Sequence, residues 1–138
     1  MALKIVLAGG CFDPLHYGHL KHLEEAKKLG DWLVVALTDD AHIKKQGHPI
    51  FNVKEREEML RALRCVDDVA VVASCGEAIQ VIKPDVYVKG IEYEGKLKEQ
   101  ELVESYGGRV AFVSGSIFSS SKLVSGGYLK LQSAFSGR

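Results

Sequence analysis

The stretch from residue 3 to residue 29 constrains the fold of this chain most. It opens with a short apolar run, residues 3–8, that predicts a buried strand, and Gly9 and Gly10 follow at once. Apolar side chains then recur at helical spacing, at Leu20, Leu23, Ala26 and Leu29. A strand that passes through glycines into an amphipathic helix is the opening half of a β–α–β unit, whose two strands lie parallel.

The remainder of the chain repeats this alternation of strands and helices. Residues 32–37 are continuously apolar, which is typical of a parallel strand covered by helices on both faces. Further strands are predicted at 66–72, 85–88 and 109–113, and helices at 52–64, 77–82, 98–106 and after a serine-rich turn near residue 119. A length of 138 residues suits one domain and not two. The sequence therefore predicts a single compact α/β domain, residues 1–138, built on a doubly wound parallel sheet.

Polar segments follow several of the predicted strands at their carboxyl ends. These segments are residues 9–19, 38–45, 89–90 and 114–122. In open parallel sheets, ligands bind in the crevice beyond the carboxyl ends of the strands. We therefore expect the four segments to surround one crevice.

Residues 9–19 combine glycines, a carboxylate and two histidines. They read Gly-Gly-Cys-Phe-Asp-Pro-Leu-His-Tyr-Gly-His, and His16 and His19 stand three residues apart, so both can face one side of the first helical turn. Unpaired N–H groups and the helix dipole favour an anion at this end of a helix. The stretch lacks the ending of a P-loop and the full glycine pattern of a dinucleotide-binding turn. It predicts a phosphate site of another kind.

Three further histidines lie nearby in the sequence. His22 continues the row of His16 and His19, which makes a three-histidine metal site an alternative. Gly18 weakens this alternative, because glycine loosens the helix that would hold the ligands. No role is predicted for the other two, His42 and His48.

Composition narrows the class of protein. Eighteen basic and 18 acidic residues cancel to a formal charge of zero, so no basic field predicts nucleic-acid binding. No apolar stretch predicts a signal peptide or a membrane span. Three cysteines without a Cys-x-x-Cys pair suit reduced thiols. We expect a cytoplasmic protein that acts on small molecules.

Residues 10–19 resemble the signature of the cytidylyltransferase-like nucleotidyltransferases. Residues 63–69 and 118–123 are similar to two further elements of that family, so the resemblance covers nearly the whole chain. Its members have a Rossmann-like sheet and transfer a nucleotidyl group from a nucleoside triphosphate to a phosphorylated alcohol or sugar, releasing pyrophosphate. Residues 88–93 resemble both glycerol-phosphate cytidylyltransferases and the adenylyltransferase domain of ADP-heptose synthesis.

Two features favour the heptose branch of this family. Residues 101–110 are similar to that branch. Many cytidylyltransferases place an arginine a few residues before the serine element, whereas residues 113–117 contain none. The resemblance implies transfer from CTP or ATP onto a phosphorylated sugar or polyol, such as heptose 1-phosphate or glycerol 3-phosphate. The alternatives are a flavin adenylyltransferase like FAD synthetase and a catalytically silent nucleotide-binding module.

The resemblance also implies roles for particular residues. His16 and His19 would contact the triphosphate and stabilise the transition state, and Lys44 or Lys45 would reach the α-phosphate or the acceptor phosphate. Asp13 would help to hold Mg²⁺ or orient the acceptor. A homodimer is common in the family and is expected here.

The remaining implied contacts concern the nucleotide and the acceptor. Arg64 and Glu92 would lie near either one. The nucleotide itself would be bound by Gly9, Gly10, Cys11, Phe12, Lys89, Gly90, Ser119, Ser120, Ser121 and Lys122.

Overall fold

Five parallel strands form the sheet in the computed structural model, which describes residues 2–114. The strands are β1 (Ile5–Gly10), β2 (Trp32–Thr38), β3 (Asp68–Val72), β4 (Val86–Gly90) and β5 (Arg109–Val113). Their order is β3-β2-β1-β4-β5, so the chain first builds outward on one side of β1 and then on the other. The order therefore reverses between β1 and β4, the position at which sheets of this type bind ligands.

Helices cover both faces of this sheet. They are α1 (Tyr17–Lys27), α2 (Val53–Arg61), α3 (Cys75–Ile82) and α4 (Gln100–Glu104), with 3-10 turns at Asp40–His42 and Ile91–Tyr93. Val6 and Ala8 of β1 pack in one core layer with residues of α1 and α2. Leu7 points to the opposite layer, which α3 and α4 complete. Alternate side chains of one strand thus enter two cores, as burial on both faces requires, and the predicted doubly wound fold is confirmed.

Several predicted boundaries were wrong. β1 continues through Gly9 and Gly10, which pair with Ala36 and Leu37 of β2, so the glycines belong to the strand rather than to the turn. Helix α2 ends three residues earlier than predicted, because the N–H of Ala62 is shared between the carbonyls of Glu58 and Met59 as the chain tightens. β1, β3 and β4 also start later than predicted, α3 starts earlier, β2 and β4 end later, and α4 is shorter.

The described part of the chain ends at residue 114. The predicted serine-rich turn, with Ser119, Ser120, Ser121 and Lys122, and the predicted last helix lie outside it. Between residues 2 and 114, no helix is long and apolar enough to cross a bilayer.

Candidate active site

A pocket of about 190 Å³ opens at the carboxyl ends of β1 and β4, where the strand order reverses. It brings together the glycine end of β1, one face of α1 and the end of β4. Its lining residues are Gly9, Gly10, Cys11, Phe12, His19, His22, Lys89, Gly90, Glu92 and Tyr93. Seven of the residues that the sequence predicts for nucleotide or acceptor binding are in that set. Of the four segments expected to surround one crevice, residues 9–19 and 89–90 contribute to this pocket and residues 38–45 do not, while residues 115–122 lie outside the described part of the chain.

Two histidines cap the first turn of α1 and stack on each other. His16 is the N-cap residue, and its Nδ1 accepts a hydrogen bond of 3.1 Å from the N–H of Gly18. Nδ1 of His19 accepts a hydrogen bond of 3.2 Å from the N–H of His16. This reciprocal arrangement is a capping box built from imidazoles. The rings lie nearly parallel, with centroids 3.7 Å apart.

These contacts decide which ring nitrogen carries the proton. An Nδ1 that accepts a backbone N–H has no hydrogen, so the neutral ring of His16 or His19 carries its proton on Nε2. Burial lowers the pKa of both histidines. For His19, burial together with the neighbouring His16 and His22 lowers the pKa to about 3. Both rings are therefore neutral Nε2–H donors near pH 7. Nε2 of His16 is buried and has no hydrogen-bond partner among the described residues.

The turn before α1 adopts an uncommon backbone conformation. Phe12 has φ +50°, in the left-handed region that residues with a side chain seldom occupy. Its buried ring meets His19 edge-on, with centroids 5.0 Å apart. Packing in the core holds this conformation, and such backbones are concentrated at functional sites. The ring of Phe12 thus supports the histidine that lines the pocket.

His22 occupies the pocket wall one helical turn beyond His19. It is buried, and its Nδ1 has no partner among the described residues. Burial lowers the pKa of His22 to about 4, and the positive charge of Lys89 adds to this, while Glu92 acts in the opposite direction. His22 is therefore neutral at pH 7. A lysine and a carboxylate from the other wall of the pocket are its charged neighbours.

Residues at the end of β4 form that other wall. Nζ of Lys89 lies 4.8 Å from the centroid of the Tyr93 ring, a cation–π distance. A side chain at Gly90 would meet the carboxylate of Glu92, which would then have to move. The predicted group of Lys89, Gly90 and Glu92 thus faces α1 across the pocket.

Asp13, predicted as a magnesium ligand or acceptor contact, anchors the loop between β2 and α2. One carboxylate oxygen accepts hydrogen bonds from His48 and from the N–H of Ile50, both at 2.6 Å, and the other accepts from the N–H of Phe51 at 2.9 Å. Burial tends to raise the pKa of Asp13, but these donors outweigh it and the pKa is lowered.

The loop that contains Lys44 and Lys45 leaves both lysines exposed. It is residues 39–52, which we call the lysine loop. Asp13 holds its second half. Its first half is held by Arg56, whose guanidinium donates to Asp40 at 2.6 Å. Both lysines lie between these two anchors.

Arg56 is a residue to which no role was predicted. It is fully buried in α2, and it donates to the carbonyls of Cys11, Thr38 and Phe51 at 2.8–2.9 Å. One side chain thereby joins the glycine turn, the end of β2 and the lysine loop. The sequence could have indicated this burial, because Arg56 lies three residues after Val53 and four before Leu60, on the buried stripe of α2.

Five predicted site residues within the described range do not line this pocket: Asp13, His16, Lys44, Lys45 and Arg64. Of these, Arg64 lies at the other edge of the sheet. It is exposed and follows the end of α2. The next residues return to the start of β2, where the N–H of Asp67 donates to the carbonyl of Leu33. This is the amino edge of the sheet, opposite the pocket.

A protein-made metal site is not present within residues 2–114, where no three His, Cys, Asp or Glu side chains are grouped to hold an ion. His16, His19 and His22 do not form such a group either. Both oxygens of Asp13 are already engaged, and its side chain is only 1% exposed. These residues do not fit a magnesium cage, and the ion stays a prediction.

Comparison with known proteins adds evidence from outside the geometry. The family model described as cytidylyltransferase-like matches residues 7–121. The bifunctional protein HldE of Desulfatibacillum aliphaticivorans is 42% identical over 116 residues, and that of Campylobacter jejuni subsp. doylei is 40% identical over 126 residues. These matches cover 80% and 88% of this chain but only 24% and 27% of the relatives. The chain thus spans about a quarter of the length of these relatives.

Two solved structures share the fold. The crystal structure of the lipopolysaccharide core biosynthesis protein from Thermoplasma volcanium has a TM-score of 0.69 and 32% identity, covering 86% of this chain and 100% of that one. A protein of unknown function from Archaeoglobus fulgidus has a TM-score of 0.61 and 25% identity, covering 83% of this chain and 93% of that one. The family model spans most of the chain and includes the pocket and its histidines, so this protein belongs to the cytidylyltransferase-like family of nucleotidyltransferases.

Proposed function

We propose that this chain transfers a nucleotidyl group from ATP or CTP to the phosphate of a phosphorylated sugar or polyol. The observation that carries the proposal is the pair of stacked histidines. Backbone N–H groups occupy Nδ1 of His16 and of His19, so each neutral ring offers only an Nε2–H donor. Nε2 of His16 is buried without an acceptor, which costs about 1–3 kcal/mol. An oxygen of a bound triphosphate would supply the missing acceptor.

The proposed reaction requires alignment of two anions more than acid–base chemistry. An oxygen of the acceptor phosphate forms a bond to the α-phosphorus, and the bond from that phosphorus to the bridging oxygen breaks, so that pyrophosphate leaves with the electron pair. The attacking phosphate is already ionised, and no strong base is needed. His16 and His19 donate to the phosphate oxygens on which charge accumulates. Lys44 or Lys45 neutralises the charge where the two phosphates approach.

Two observations favour a phosphorylated sugar as the acceptor and ATP as the donor. The relatives named HldE match most of this chain, and residues 88–93 and 101–110 resemble the adenylyltransferase domain of ADP-heptose synthesis. The similar structure from Thermoplasma volcanium is described as a lipopolysaccharide core biosynthesis protein. Magnesium, in this proposal, enters coordinated by the oxygens of the triphosphate, as Mg²⁺ commonly does. A homodimer is proposed from the family resemblance alone.

The test is pyrophosphate release from ATP or CTP in the presence of heptose 1-phosphate, glycerol 3-phosphate or a flavin mononucleotide. We expect release with ATP and the sugar phosphate. Release with flavin only, together with a change in flavin fluorescence, would instead identify a flavin adenylyltransferase. If no combination of nucleotide and acceptor releases pyrophosphate, a catalytically silent nucleotide-binding module becomes the better description.

Matched variants test whether the histidines do the chemistry. His16→Asn and His19→Asn keep an acceptor at the position of Nδ1, and therefore the cap of α1, but they remove the Nε2–H donor. We expect each to lower kcat about 10²- to 10³-fold, the usual effect of losing one donor to a transition state. Turnover at the wild-type rate in either variant would contradict the assignment.

A further inference from the structure

We propose that His48 is a positioning residue, which holds the lysine loop to the catalytic turn through the carboxylate of Asp13. The inference rests on the proposed function, because its effect on rate is exerted through Lys44 or Lys45. His48 and Asp13 are 35 residues apart in the chain, and Nδ1 of His48 lies 2.6 Å from the carboxylate. His48 has no direct contact with a reacting atom in this proposal.

The contact between His48 and Asp13 is sheltered from water. The side chain of His48 is 13% exposed and that of Asp13 is 1% exposed. A hydrogen bond to a charged group in such surroundings is stronger than one at the surface. The other histidine–aspartate pair of the loop, His42 with Asp39, is similar in length at 2.7 Å but has side-chain exposures of 52% and 31%. Of these two histidine–aspartate pairs, the sheltered one is the anchor.

The anchor joins the two segments that carry the proposed chemistry. In the sequence, Asp13 lies between Phe12, which lines the pocket, and the stacked histidines His16 and His19. On the loop, the donors to Asp13 are the ring of His48 and the backbone N–H groups of Ile50 and Phe51. The loop is thus fixed relative to the glycine turn by a carboxylate that accepts hydrogen bonds at both of its oxygens.

Both ends of the lysine segment are fixed in this way. Asp40 is bound by Arg56 at one end, and His48 is bound by Asp13 at the other. Across residues 43–47, the described hydrogen bonds stay inside the loop, between Ile43 and Asp40 and between His48 and Lys45. The position of the lysines therefore depends on the two anchors, and His48 is the side-chain part of the second one.

The expected result follows from the separate roles of anchor and lysine. Loss of the His48 contact leaves the pocket and its histidines in place but lets the lysine segment sample more conformations. Nucleotide binding to the pocket should change little, whereas charge neutralisation in the transition state should weaken. We therefore expect kcat to fall about tenfold, as for loss of a hydrogen bond to a charged group, with less than a twofold change in the KM for the nucleotide.

The experiment compares four variants. His48→Asn places an amide N–H where Nδ1 donates and should retain most of the kcat. His48→Leu removes the donor and should show the full loss, and His48→Gln, which places its amide farther out, should resemble His48→Leu and replace it where leucine prevents folding. His42→Leu makes the same change on the same loop at the exposed pair, and it should leave kcat unchanged.

A second measurement separates failure of this inference from failure of the proposed function. Hydrogen exchange of the amides of residues 43–51 should become faster in His48→Leu, remain near the wild-type rate in His48→Asn, and can be read without any turnover. A wild-type protein without activity would contradict the proposed function, while this exchange pattern would still support the anchor. Wild-type kcat in His48→Leu and His48→Gln, or equal losses in His48→Asn and His48→Leu, would overturn the positioning role.

Discussion

At the scale of single residues, the unusual feature of this site is a set of imidazoles held neutral by burial. The pKa values of His19 and His22 are lowered to about 3 and about 4. A neutral ring can still donate to a phosphate through its one N–H, and it brings no charge into a pocket that already faces Lys89. Arrival of a triphosphate reverses the balance, because an anion favours the protonated ring. We therefore infer that nucleotide binding raises the pKa values of these histidines.

The lowered pKa of His22 makes stability depend on pH. The unfolded chain takes up a proton at this histidine near pH 6.5, whereas the folded chain does so only near pH 4. The folded state binds fewer protons in that window, so the free energy of unfolding falls as the pH falls from 6.5 towards 4. Between pH 7 and pH 5, we expect the free energy of unfolding of His22→Leu to fall by about 1–2 kcal/mol less than that of the wild-type protein. Urea unfolding of the two proteins at both pH values checks this, and parallel losses would contradict it.

At the scale of elements, the close contact of β1 with α3 depends on glycine. A side chain at Gly9 would collide with Sγ of Cys75, the first residue of α3. Gly9 also lines the pocket. The packing of a helix on the opposite face of the sheet therefore decides how the glycine end of β1 is presented to a ligand.

A pair of substitutions tests this contact. We expect Gly9→Ala to lower the free energy of unfolding by about 1–3 kcal/mol, because overpacking displaces β1 or α3. Cys75→Ala removes the sulfur, so the double variant Gly9→Ala/Cys75→Ala should recover most of the loss. Chemical unfolding of all four proteins gives the coupling free energy. Additive effects would show that the methyl group and the sulfur do not compete for the same space.

Element boundaries show where the sequence sufficed and where it did not. The Asn52 and Glu55 capping box was predicted and is present, with both of its hydrogen bonds at 2.9–3.0 Å, because a cap involves only neighbours in the sequence. The end of α2 was predicted three residues late. Apolar Leu63 continues the helical spacing and still packs against the core, although it lies beyond the helix. Periodicity reports burial, and burial continues past the last helical residue.

At the scale of the whole molecule, nucleotide binding should stabilise the folded state. A ligand that binds only the folded chain at about 100 times its Kd contributes about 2.7 kcal/mol. We expect the largest rise in Tm with ATP among ATP, CTP, GTP and UTP, each measured with and without Mg²⁺. The largest rise with CTP would favour a polyol-phosphate cytidylyltransferase. No rise with any nucleotide would contradict the proposed function of the pocket.

The sequence by itself determined the order of strands and helices, the parallel sheet and the motif at residues 9–19. Each of these depends on local periodicity, glycine positions or short spacing. The tertiary structure alone decided that Arg56 is buried beneath the glycine turn, that Asp13 bonds to His48, and that Arg64 lies at the opposite edge. These outcomes depend on which strands are neighbours and on how tightly a loop closes. Groups 35 residues apart meet because of that closure, and no local pattern records it.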